Sequence, residues 1–251
     1  MARTSTRPRH GSPHQLTPAF NLFGKSAAIV RRHIWVFGTL NIIPFIFAFR
    51  TWLWAPAGPN ATGQHWWQHL HSAGPGWAFG PLPTFTNFAF VGFSILWFLV
   101  VIFVGTAVQI MNQEAQLEGA EGKNVITFSK LWEVVKEMWL RMLGLYILVG
   151  IFVIVGLILL VVPGLIMIRR YYLAPYVMLD KRPKSIMEAM EISARISKPY
   201  SGSIWRIIGV MILIGFVNVI PFLGWIASFL LGMFYSVAPA LRYQELKKAL
   251  L

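Results

Sequence analysis

Between Thr86 and Ile110 the chain runs for 25 residues without one charged side chain. As a helix such a block more than covers the bilayer hydrocarbon, which takes about 20 residues at 1.5 Å each. Inside lipid the chain itself must satisfy every backbone N–H and C=O, and a continuous apolar run does so as an α-helix. The block is not alone. Comparable stretches lie over about 34–54, 143–162, 165–180, 207–220 and 225–241, the first holding Arg50 and the third interrupted by Arg169, Arg170 and Pro175. Hydrophobic residues make up 56% of the 251 and charged residues 12%, against about 45–50% apolar in soluble proteins and roughly 25–35% charge on a water-facing surface. The expected fold is all-α, a polytopic integral membrane helical bundle of about six transmembrane helices with amphipathic surface helices.

The formal charge of +13 takes its meaning from where the charges lie. Residues 1–33 contain Arg3, Arg7, Arg9, Lys25, Arg31 and Arg32 and no acid, whereas residues 55–85 contain no Lys, Arg, Asp or Glu at all. Residues 181–206 are again basic. Basic segments stay on the cytoplasmic side of a membrane, so the 55–85 loop is expected outside and both termini inside a plasma membrane, the inner membrane of a bacterium. The charge is then topology and not a nucleic-acid surface. Residues 1–18 read as a flexible basic cytoplasmic tail, 19–245 as a single membrane domain, and 246–251 as a short cytoplasmic tail. The absence of cysteine excludes disulfides and thiolate chemistry.

Three local patterns add detail. Phe20, Phe23, Ala27 and Val30 recur at helical spacing and predict a basic helix lying on the inner surface. Over 129–143 a polar stripe of Lys130, Glu133, Glu137 and Arg141 opposes Leu131, Val134, Val135, Met138 and Met142, with Glu137 and Arg141 an i, i+4 pair. Pro163-Gly164 is a turn signal that ends the third span, leaving 143–180 as either two crossings or a re-entrant hairpin with that dipeptide at its tip. Further on, Ser185 and Glu188 fit a capping box opening a short helix.

The segment FSKLWEVVKEMWLRML before the third span, the Pro163-Gly164 turn with arginine in the next helix, and PKSIMEAMEISARISK before another apolar hairpin together carry a resemblance. Over roughly 86–245 the chain resembles the bacterial membrane domain found before some glycerophosphoryl diester phosphodiesterases, and its stand-alone relatives. The resemblance implies a helical membrane module concerned with lipids or the envelope. The catalytic barrel of those enzymes would need roughly 250 further residues.

Chemistry inside the membrane would need paired carboxylates, a zinc-binding helix or an activated nucleophile, and no zincin, nucleophile-elbow or phosphate-loop motif occurs. A non-enzymatic protein without cofactor is expected. His65, His69 and His71 are the candidates for a metal, weakened by the lack of any carboxylate or cysteine beside them. Asn41 and Asn218 suit bonds between helices. Gly224, Ser228, Gly232 and Ser236 form a strip of small residues for close helix packing, within the chain or at a homodimer or larger assembly. Arg169 and Arg170, beside Tyr171 and Tyr172, have no acid within any span to pair with. Two readings stay open for them: a structural role, snorkelling or bonding carbonyls freed near Pro163 or Pro175, or the binding of an anionic lipid or other anionic ligand, because a guanidinium fork fits phosphate. Membrane lipids, anionic phospholipid among them, are the expected partners. The expected role is organisation or sensing of lipid or envelope, with a small-solute or lipid transporter as the alternative from a different class.

Overall fold

The computed structural model describes residues 16–53, 85–217 and 223–250. Regular structure among them is helical throughout: α1 (Asn21–Arg32), α2 (Ile34–Leu53), α3 (Phe85–Ala120), α4 (Phe128–Leu159), α5 (Val161–Tyr171), α6 (Ala174–Lys181), α7 (Ile186–Ser197), α8 (Ser201–Phe216), α9 (Leu223–Tyr235) and α10 (Ala238–Leu250). The first part of the tail, nearly all of the outer loop and Asn218 fall outside the described residues. Phe98–Ala120, Phe128–Leu159 and Ile226–Leu250 are each long and apolar enough to cross a membrane, and α7 with α8, bent by 102°, makes a fourth if the pair is one span. The six expected crossings are thus not six continuous helices. The stretch expected to cross after Pro163 is divided into α5 and α6.

Several of these helices have a packed end and a bare end. In α3, Leu96, Phe98 and Leu99 are exposed while Ile110, Met111, Ala115 and Leu117 are buried. Along α4, Leu131, Val134, Val135, Met138 and Met142 are buried, the five residues that periodicity placed on one face. Its far end exposes Ile151, Ile154, Ile158 and Leu159. Likewise α8 passes from buried Ile204 and Ile207 to exposed Ile212, Leu213 and Phe216, and α9 from exposed Leu223 and Ile226 to buried Met233 and Tyr235. A contiguous apolar surface of this extent is unsuited to water and calls for lipid, which marks a membrane-embedded protein.

At the packed ends, polar side chains find each other. Tyr146 donates to Gln113 (2.7 Å), Tyr176 to Gln116 (2.6 Å), and Tyr243 and Lys247 to Asp180 (2.7 and 2.8 Å). The α3 helix runs on through the charged residues expected to follow the second span. It stops where Gly122 turns left-handed (φ 82°), with Gly122 N–H bonded to Gly119 O and Lys123 N–H to Glu118 O. Glu137 takes Arg182 at the end of α6 (2.7 and 2.8 Å) in place of the expected Arg141. A partner from another element reaches the stripe on α4 that its own next turn was expected to fill. Asn41 also turns inward on its own helix, donating to Phe37 O at 2.7 Å rather than across helices.

The buried face of α1 is Leu22, Ser26 and Val30, while Phe20 is exposed. Ser26 sets this rotation. Its hydroxyl donates to Phe234 O (2.6 Å) and accepts from Val237 N–H (3.2 Å), satisfying the backbone where α9 breaks before α10. Ser185 caps α7 as its sequence implies: its hydroxyl accepts from Glu188 N–H, and the Glu188 carboxylate reaches back to Lys184 N–H.

Candidate functional site

The α4–α5 hairpin carries the arginine pair. Leu160 is extended (φ −165°, ψ 144°), and α5 folds straight back along α4. Two glycines permit the contact: a Cβ on Gly156 would lie 2.9 Å from Gly164 Cα, and one on Gly164 would lie 2.5 Å from Leu157 side-chain carbons. The turn therefore falls at Leu160 and not at Pro163-Gly164. Pro163 sits in the first turn of α5, where the N–H it lacks has no helical acceptor, and Gly164 serves close approach.

The α5 helix has 11 residues, roughly 16 Å at 1.5 Å per residue. It ends because Pro175 opens α6, and in a continued helix its ring would strike the Tyr171 carbonyl. Arg169 and Arg170 thus occupy the last turn of a short helix, next to the negative end of its dipole. They are not in the interior of one long helix.

Arg169 is half-buried, and its Nε is buried with no hydrogen-bond partner. Arg170 is exposed, and its carbonyl accepts the Ser193 hydroxyl at 2.8 Å. Neither guanidinium makes an ion pair with a described residue. The two tyrosines serve other contacts: the Tyr171 ring lies 6.0 Å from that of Phe152, and the Tyr172 hydroxyl donates to Met211 Sδ at 3.1 Å. What the fold brings to the backbone of this turn is the buried face of α7, through the Ser193 hydroxyl on the Arg170 carbonyl.

Ser193 and Ser197 lie one turn apart on that face, both fully buried, and the Ser197 hydroxyl has no partner. Two unpartnered polar atoms, Arg169 Nε and Ser197 Oγ, thus belong to the two helices that meet here. Sequence reasoning missed both serines. The signal for them was a polar residue twice on the apolar stripe that runs through Ala189, Met190 and Ile196.

The other candidates separate. In the small-residue strip, Gly224 is buried, Ser228 donates to Ile214 O of α8 (3.1 Å) and Ser236 to Met233 O (2.7 Å). Gly232 faces open space, where a Cβ meets nothing within 4 Å. The strip packs within the chain at Ser228 but makes no close contact at Gly232. His65, His69 and His71 lie outside the described residues, and among the described ones no group of three or more His, Asp or Glu is placed to hold a metal. No family model, curated protein or solved structure matches this chain.

Proposed function

We propose that this chain is a non-enzymatic protein of the bacterial inner membrane that organises or senses lipid, with the end of α5 holding an anionic phospholipid head group. The observation that carries this reading is the arginine pair, which lies against amphipathic α7 at the end of a short helix and lacks an acidic partner among the described residues. Charged hydrogen bonds from a guanidinium to phosphate oxygens would supply the missing partner.

Depth supports the same reading. Arg169 and Arg170 are nine and ten residues past Leu160, so roughly 13 to 15 Å from the hairpin tip at 1.5 Å per residue. In a six-crossing arrangement that is the bilayer centre, where each charge costs about 2.5 to 3.5 kcal/mol on insertion scales. A re-entrant hairpin that ends near mid-bilayer puts both arginines at head-group level, beside α7. The re-entrant form is favoured, and either arrangement keeps both termini cytoplasmic. The features of the proposed relationship to the phosphodiesterase-associated membrane domain also hold structural positions: the 128–143 face is buried, Gly164 closes the hairpin, and Ser185 caps α7.

The test replaces Arg169 and Arg170 with glutamine, confirms folding, and compares retained phosphatidylglycerol and cardiolipin by native mass spectrometry after gentle extraction. Loss of the retained anionic lipid is expected. Unchanged retention rejects the site, and solute flux or lipid scrambling in proteoliposomes would favour a transporter.

A further inference from the structure

The start of α8 opens into an open cleft of about 300 Å³ lined by Leu16, Pro199, Tyr200, Gly202, Ser203 and Arg206. No side chain caps this 16-residue helix. The Tyr200 carbonyl takes the N–H groups of Ser203 (3.0 Å) and Ile204 (3.3 Å). Those of Ser201 and Gly202 find no backbone acceptor among the described residues. Both are part of the partial positive charge at a helix start. The space on the side-chain side of Gly202 is open, since a Cβ there meets nothing within 4 Å.

A second and independent observation points to a ligand. Ser203 lines the cleft, is only 5% exposed, and its hydroxyl has no hydrogen-bond partner. Buried hydroxyls are rarely left so. One turn on, Arg206 is tethered by Nε to Gly202 O (3.3 Å), and its terminal nitrogens carry no bond to a described residue. Arg242 lies within electrostatic reach of Arg206 and is fixed by Glu245 (2.8 Å) and by the carbonyl of Thr17 (2.5 Å), the neighbour of cleft-lining Leu16. Glu245 offsets Arg242, which leaves Arg206 as the cation of the cleft without an acidic partner among the described residues.

We propose that this cleft binds a phosphate group, with the first N–H groups of α8, the Ser203 hydroxyl and the Arg206 guanidinium as its donors. All are donors, two kinds are built into one helical turn, and a tetrahedral oxyanion has acceptors for each. The same helix then exposes Met211, Ile212, Leu213 and Phe216. A phosphodiester held at its start therefore has an apolar face on which acyl chains can lie. The shared chemistry is phosphate, whether from a phospholipid head group or free in solution. The site stands apart from the arginine pair of α5 and does not depend on it.

The full chain, stripped of lipid in detergent, is titrated with inorganic phosphate at constant ionic strength and followed by its melting temperature. Wild type should saturate. Arg206→Gln should bind at least about tenfold more weakly, and Ser203→Ala several-fold more weakly. Ser203→Ala keeps the ligand-free melting temperature, because its hydroxyl has no bond to lose. Nanodiscs of phosphatidylcholine with and without phosphatidylglycerol separate the sources. A phosphate response that the anionic lipid suppresses assigns the site to the head group, and an equal response in both assigns it to free phosphate. Responses to phosphate that are the same in wild type and both variants, or absent in all three, overturn the proposal whatever the α5 arginines retain.

Discussion

Glu118 shows what one side chain decides in this fold. It is 1% exposed, one carboxylate oxygen takes Lys123 (3.1 Å) and Lys130, and the other has no partner. It thereby ties the end of α3 to the start of α4. Glu118→Gln should lower stability by about 1 to 3 kcal/mol, less than a fully buried pair because both lysines are half in water; thermal unfolding in one detergent measures this. Burial works to lower the Lys123 pKa and is the largest single influence on it, but the hydrogen bonds and charge attraction of Glu118 and Glu121 together outweigh it and raise the pKa above the ordinary 10.5. A cation with a raised folded pKa stabilises at lower pH and loses that as the pH climbs through the folded value. The gap between wild type and Glu118→Gln should hold at neutral pH and narrow in strongly alkaline buffer. Sequence shows Glu118 only as one acid in a mixed-charge segment, since helical spacing says nothing about a lysine 12 residues away across a turn.

Among the elements, the α4–α5 hairpin rests on two glycines, of which sequence reading gave Gly164 a different purpose and did not single out Gly156. Pro163-Gly164 has the chemistry of a turn, but the chain turns back at Leu160 and the dipeptide lies in the first turn of α5. What spacing cannot show is that Gly156 waits on the opposite helix, so that the second glycine is needed for contact. Gly156→Ala should loosen the hairpin by roughly 1 to 3 kcal/mol, because its Cβ meets backbone that must shift. Gly150→Ala in the same helix, with nothing within 4 Å, should be neutral. Melting temperatures of the two variants side by side check the pair. The face of α4 was fully legible because it is long and strongly periodic. That of α1 was read rightly at Val30 but one position off before it, where Leu22 and Ser26 are buried in place of Phe23 and Ala27, since the serine bonds a distant backbone.

For the whole molecule, the all-helical character of the apolar blocks was legible in the sequence, while the division of one expected crossing into α5 and α6 was not. Helix length follows from where Pro175 and close packing stop it, and hydropathy averages over both. With no native cysteine, single cysteines report on sides directly. Those at positions 122, 184 and 247 should resist an impermeant thiol reagent in intact cells, and one at 62 should react. Cysteine at 160 should stay unreactive if α4–α5 is re-entrant and react from outside if it crosses. The ties of the N-terminal segment to the last helices carry a further consequence. Ser26 bonds Phe234, Tyr235 bonds Ala19 and Arg242 bonds Thr17, across 208, 216 and 225 residues. Residues 17–26 thus gain these partners only after α9 and the start of α10 have left the ribosome. A nascent or truncated chain that lacks α9 and α10 has α1 without them, with the Ser26 hydroxyl and the polar groups it satisfies open to chaperones and membrane proteases.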